Sequence, residues 1–325
     1  MKQGWRGLVL RLLISFGAIG FIVYSFRGKL HEAVGILRTE VIWAYFFLAA
    51  VTYLLGLCLL AIRLQWVFKV HKIAVNFMES FYLGLVGLFF NLFLPSAVGG
   101  DLVKAFYAYK HSGKKVESMT SVIMDRILGF AALSIMSVTA VLIYSKQLND
   151  PRIDRMVYYF MGVMLLLALF FASRRFAKFF KFAGGWIPES WKAKISTLYH
   201  AIYEFKFHKR LMVSVVLLSL AGQCLFIIVH YWLTLSLGVD ISPFIFFILI
   251  PILSVISMAP SLGGLGVREA AVIYLFARFM PNERALALSL LLDILIYGFS
   301  LVSGIIYSFS GGLKPKALHE MEELK

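Results

Sequence analysis

Apolar residues run along this chain in blocks of about 20, separated by short polar stretches, and that pattern predicts helices long enough to cross a bilayer. The blocks are Leu8–Phe26, Val41–Ile62, Ser118–Tyr144, Met156–Ala172, Leu211–Leu235 and Ala285–Phe309. Two further apolar runs are interrupted. Glu79–Pro95 ends in Asn91-Leu92-Phe93-Leu94-Pro95-Ser96-Ala97-Val98-Gly99-Gly100-Asp101-Leu102-Val103-Lys104. Pro243–Ala259 ends in Pro260-Ser261-Leu262-Gly263-Gly264-Leu265-Gly266-Val267-Arg268-Glu269, and Val267–Met280 continues it. Broken backbone at membrane depth is tolerated only where protein or a wet cavity surrounds it. The expectation is an all-α polytopic membrane protein with six full spans and two re-entrant helical hairpins. The alternating short strands of a membrane barrel are missing.

Charge placement sets the expected topology. Lys2, Arg6 and Arg11 precede the first block, which places the amino terminus in the cytoplasm, and no small-residue cleavage pattern follows it. Arg63, Lys69 and Lys72 follow the second block and fit the same side. Lys104, Lys110, Lys114 and Lys115 share that side only if Glu79–Pro95 turns back on itself. Residues 174–210 hold nine bases against Glu189 and Glu204, interleaved with aromatic residues. This is a cytoplasmic segment, read either as a helix lying in the headgroup plane or as a plain topogenic loop. The tail mixes Lys314, Lys316 and Lys325 with Glu320, Glu322 and Glu323. If it too is cytoplasmic, the second hairpin enters from outside. The expected location is the plasma membrane, multi-pass, with both termini in the cytoplasm.

Composition narrows the class. The chain is 61% hydrophobic and 15% charged over 325 residues, far more apolar than a globular core requires. The net charge of +15 lies in loops between apolar runs, so nucleic acid is not an expected partner. Cys58 and Cys224 sit inside apolar runs, and with the scattered histidines they give no disulfide or metal-ligand spacing. No Walker-type loop is present, so ATP is not an expected driver and no cofactor is expected.

The chain also repeats itself. Pro95 recurs as Pro260, Val103 as Val267, Gly56–Leu59 as Gly222–Leu225, and Ser121–Asp125 as Ser289–Asp293, at separations of 164 to 168 residues. Apolar matches come easily in such a composition, but Pro, a Gly pair, a base and an intramembrane Asp recur in one order. The expected organisation is one membrane domain over 1–325, with repeat one at 41–144 and repeat two at 211–309. With the topology above the repeats are inverted, an arrangement that puts a site near the midplane between broken helices.

Charges inside the apolar blocks are the candidate chemistry, because burying one in hydrocarbon costs about 2.5–3.5 kcal/mol on insertion scales. Asp125 lies about 10 Å into its span, and Asp293 about 12 Å into its own from the opposite face, at ~1.5 Å per residue. Arg126 adjoins Asp125, but neighbours in sequence do not face each other on a helix, so each needs another partner. Asp101 and Lys104 can share a face, and Arg268 and Glu269 open the helix after the second break. One reading is that these charges pair across helices and tie the bundle together. The other is that Lys104, Arg126 and Arg268 hold a lipid phosphate beside the backbone N–H groups of Gly99, Gly100, Gly263 and Gly264. Asp101, Asp125, Glu269 and Asp293 then orient the bases or relay protons. Glu79, His230 and Arg278 are read as packing or interfacial residues.

Asn91-x-x-x-Pro95, Gly99-Gly100-Asp101 with Lys104, Asp125-Arg126, and Pro260-x-x-Gly263-Gly264-x-Gly266-Val267-x-Glu269 together resemble the flippase-like membrane domain family. That family includes the membrane region of lysylphosphatidylglycerol synthetases. The resemblance covers nearly the whole chain and adds Asn91 and Gly266 to the expected site. The family often has Arg at the position of Lys104 and Glu at that of Asp125; both swaps keep charge, though Lys lacks the bidentate fork. The resemblance implies a lipid translocase for an anionic phospholipid or a polyprenyl-phosphate-linked lipid. In the synthetases a separate soluble domain carries aminoacyl transfer, and only about 16 residues follow the last span here, so a non-enzymatic role is expected. The rivals are a phosphatidylglycerol lysyltransferase-type protein and a scaffold that recruits a synthase or transferase partner through 174–210.

Overall fold

A computed structural model describes residues 31–93, 99–148, 155, 158–159, 162, 203–257 and 266–309. The expected spans Leu8–Phe26 and Met156–Ala172, most of segment 174–210, both motif tips and the tail lie outside the described residues or almost wholly so. The described residues are helical, with no strand among them.

In chain order the helices are α1 (Trp43–Val70), α2 (Phe77–Phe93), α3 (Gly99–Ser112), α4 (Lys115–Leu148), a 3₁₀ turn at Phe205–Phe207, α5 (Lys209–Ser236), α6 (Pro243–Ile256), α7 (Val267–Phe276) and α8 (Asn282–Phe309). A helical stretch over 31–39 leads into them. Four are long and apolar enough to cross a membrane: α1, the Lys115–Met136 part of α4, α5 and α8. These match four of the six expected spans. The helices of the interrupted runs are short: α2 has 17 residues, α3 14, α6 14 and α7 10. At 1.5 Å per residue none reaches the roughly 30 Å of a hydrocarbon core.

Polar contacts at the helix ends sort those ends into two groups. In the first, Lys114 Nζ donates to the carbonyls of His71 (3.0 Å) and Lys72 (3.3 Å), and His111 Nε2 donates to that of Ala74 (3.0 Å). The end of α1, the start of α2, the end of α3 and the start of α4 are thus tied together. The start of α2 is fixed by a capping box: Asn76 Oδ1 accepts from Glu79 N–H at 2.8 Å, and Glu79 Oε2 from Asn76 N–H at 2.7 Å. Glu79 is therefore a cap at the start of α2. The start of α5 joins this group through Glu204, 3.5 Å from His71, and Phe205, whose ring meets that of His71 edge-on.

In the second group, Arg284 at the start of α8 donates to the Leu237 carbonyl after α5 and to Glu40 at 3.0 Å. Ile42 N–H, at the start of α1, donates to Ser236 O at 2.8 Å. The turn from α5 to α6 is made by Gly238 at φ +67°, a left-handed backbone that favours glycine.

The largest core packs α5, α6, α7 and α8 with the first half of α1. A smaller one joins α1, α2, α3 and α4 around Leu64, Phe68, Leu83, Ala105 and Val122. The two parts also interlock. Helix α1 lies along α5, α2 packs on α8, and α6 packs on α4. At the α2–α8 crossing Gly304 faces the Phe89 ring with no room for a side chain. There the Tyr307 ring packs against Phe89 and meets Phe90 and Tyr107 edge-on.

Candidate functional site

The first charged cluster is built where α2 and α3 cross. Gly100 packs directly on the Gly87 carbonyl and the Asn91 amide, so close that a Cβ there would overlap both. Asn91 Oδ1 accepts the Gly100 N–H at 2.8 Å and so caps the start of α3. The expectation was that this N–H stays open for an anion; its partner is instead Asn91. Gly87, unnoticed in the sequence, leaves the space through which the Lys104 side chain passes.

Asp101 and Lys104 share a face of α3, with Lys104 Nζ 3.3 Å from Asp101 Oδ1. Arg126 of α4 also bonds Asp101. Asp125, its neighbour, faces the other way, where Arg63 holds it by two parallel hydrogen bonds of 2.7 Å each. That fork-on-fork geometry is the strong form of an ion pair. Arg63 also donates to Ser219 Oγ of α5 at 3.3 Å. Arg63 was expected at a cytoplasmic edge. It is buried instead, because α1 continues to Val70. The signal was present in the apolar run Leu64, Trp66, Val67 and Phe68 beyond it.

A cavity of about 210 Å³ opens beside this cluster. Among its lining residues are Asn91, Lys104, Asp125, Arg63, Ser80 and Tyr53. Ser80 is fully buried and its Oγ has no hydrogen-bond partner among the described residues. Such a hydroxyl is costly unless something polar meets it.

The second cluster lies at the start of α7. Gly266 takes φ +82°, so it serves the backbone turn into that helix. Arg268 reaches α8, where it bonds Asp293, donates to Tyr297 Oη at 3.0 Å and lies over the Tyr297 ring at 5.4 Å. Glu269 is buried next to it, with its nearest oxygen 3.9 Å from Arg268 Nη2. Gly263 and Gly264 lie outside the described residues. Tyr53 of α1 lines the cavity, and its ring meets that of Phe299 of α8.

The sequence profile of the lysylphosphatidylglycerol synthase TM region matches residues 8–304, a span that includes both clusters. The chain belongs to this family. A search of curated proteins gave no match. Family membership establishes a membrane protein with a membrane lipid-related role.

Within that family frame, the structure links Asn91 to Gly100 and Asp101 to Lys104 and Arg126, and Asn91, Lys104 and Asp125 line the cavity. It places Arg268, Glu269 and Asp293 in a separate cluster. The three bases expected to share a phosphate are therefore divided, two and one. Sequence reasoning missed Arg63, Ser80, Gly87, Tyr53 and Tyr297. Of these, only Arg63 left a trace in the hydrophobic pattern.

Proposed function

We propose that this chain moves a phosphate-bearing lipid between leaflets, taking its headgroup into the cavity at Lys104. One observation carries the reading. Among the described residues, the two bases Lys104 and Arg126 meet a single acid at Asp101, while Arg63 and Asp125 neutralise each other. The cluster therefore holds a surplus positive charge, and Lys104 lines a cavity that also offers the unpartnered Ser80 hydroxyl. A monoanionic phosphate diester has the charge and the acceptor oxygens for such a place. Lipid tails remain in the bilayer while the headgroup sits between α1, α2 and α4.

The helix-end contacts support an alternating-access scheme. Helices α2 and α3 begin and end in the first group of ends, and α6 and α7 in the second, so two short hairpins approach from opposite sides. The interlocking of α2 with α8 and of α6 with α4 is what a pseudo-two-fold between inverted repeats requires. Such a pair of halves has two mirror-related packings, and a site between them opens to either leaflet in turn.

The test is lipid crossing in vesicles that hold the purified chain and a labelled phosphatidylglycerol. Wild type accelerates crossing. Lys104→Met and Arg126→Ala reduce it by about tenfold or more, as expected when a hydrogen bond to a charged group worth ~1.5–3 kcal/mol is lost. Unchanged crossing in both variants overturns the assignment.

The family's description favours one second reading, a lipid-modifying protein that acts with a transferase partner. Extracts from cells that express this chain alone decide it: a new aminoacyl lipid supports modification, and its absence removes that activity from the chain itself.

A further inference from the structure

The second cluster carries the opposite imbalance. Among the described residues Arg268 is its one base, and Glu269 and Asp293 are two acids. All three side chains are nearly buried, at 10%, 8% and 13% exposure. Neither Glu269 carboxyl oxygen has a hydrogen-bond donor among the described residues, since the nearest Arg268 nitrogen is 3.9 Å away. Asp293 receives the guanidinium instead.

Both carboxyl groups face the same guanidinium nitrogen, Arg268 Nη2, and are therefore close neighbours. Two carboxylates have only acceptor atoms, so a hydrogen bond forms between them only when one carries a proton. Like charges held close together away from water repel, and a shared proton relieves that repulsion.

The remaining polar groups near Arg268 do not supply the missing charge. Tyr297 of α8 donates no proton to Glu269 and instead accepts from Arg268. Tyr53 of α1 and His230 of α5 give no hydrogen bond to Glu269. Helix α6, packed against α7, holds no titratable side chain. His230 is fully buried; its Nδ1 donates to Phe226 O at 2.8 Å, which leaves Nε2 as a bare acceptor with no partner.

We propose that Glu269 and Asp293 hold one exchangeable proton between them, making the start of α7 a proton-binding site. Loading the proton makes the cluster neutral, with Arg268 balanced by one carboxylate. Releasing it leaves a buried negative charge beside the hairpin. The hairpin's position is thereby linked to protonation, because a neutral cluster moves through low-dielectric surroundings at less cost than a charged one. If the transport reading above holds, this site couples lipid movement to a proton gradient; the proton site itself does not depend on that reading.

Infrared difference spectroscopy of the purified full-length protein, between acid and alkaline buffer, tests the site directly. The expected result is a protonated-carboxyl C=O band that titrates as one proton and disappears in both Glu269→Gln and Asp293→Asn. Tyr297→Phe, which keeps both acids, retains the band at a shifted frequency. A band unchanged by either acid substitution, or no titrating band at all, overturns the proposal. A carboxylate signal that responds to added sodium at fixed pH also overturns it, in favour of a monovalent-cation site.

A second arm uses phosphatidylglycerol vesicles containing the protein. An imposed gradient of one pH unit should speed lipid crossing by up to about tenfold, the ratio of proton activities. Glu269→Gln should lose that response whatever its basal rate, and a sodium gradient should have no effect. A gradient response that survives in Glu269→Gln overturns the coupling. If no lipid crosses in wild type, the transport reading fails, while the infrared result still decides the proton.

Discussion

Asp125 and Arg126 are neighbours in sequence and serve opposite sides of α4. Arg126 reaches Asp101 on α3, and Asp125 takes Arg63 from α1. The second contact links helices and is deeply buried, so its loss is asymmetric. Arg63→Met leaves a bare carboxylate and should destabilise the protein by about 3–5 kcal/mol, whereas removing both charges as Arg63→Met with Asp125→Leu should recover most of that. Thermal unfolding midpoints in detergent check this. A double variant as unstable as the single one would mean that the pair is tied into more than itself, through Ser219 or the cavity. The same measurement on Lys104→Met should show a smaller loss, because Asp101 keeps Arg126 as its partner.

At the scale of elements, the short helices are set by their ends and crossings more than by their propensities. The capping box at Asn76 and Glu79 starts α2, and the Asn91 amide of α2 starts α3. Gly100 makes that crossing possible by lying on the Gly87 backbone. Gly100→Ala meets a carbonyl oxygen that has no rotamer to escape into, and overpacking of this kind costs about 1–3 kcal/mol. The expected outcome is a lower unfolding midpoint together with weakened lipid crossing, since Lys104 moves with α3 and the Asn91 cap of that helix is pushed away. Gly304→Ala presses on the Phe89 ring instead, which can turn. It should lower the midpoint less. Equal losses at the two glycines would argue against a rigid α2–α3 contact.

For the whole molecule, the decisive quantity is the side of the membrane on which each group of helix ends lies. Lys110, near the end of α3, is exposed, and Asn282 opens α8 in the other group. In a background without Cys58 and Cys224, single cysteines at positions 110 and 282 should react with an impermeant maleimide from opposite sides of the membrane. Labelling from one side would break the opposed-hairpin scheme and, with it, alternating access. Among the described residues the two clusters also differ in charge, with a surplus base near Asp101 and a surplus acid near Asp293.

Residue order alone determined that this is a helical membrane protein, because runs of apolar residues with a helical length have few other stable fates in water or lipid. It also located the two breaks and nearly all of the buried charges, since a charge inside such a run stands out against its surroundings. That Asp125 and Arg126 need separate partners followed from helix geometry. Which partners they take did not follow. Arg63 looked like a membrane-edge base until α1 ran past it to Val70, and no local pattern says that α4 turns Asp125 toward α1. Division of the bases into two clusters, the Gly87 passage for Lys104 and the reach of Arg268 to Asp293 are matters of helix crossing. Crossings depend on side-chain volumes brought together from residues far apart in the chain, and only the packed tertiary structure brings them together.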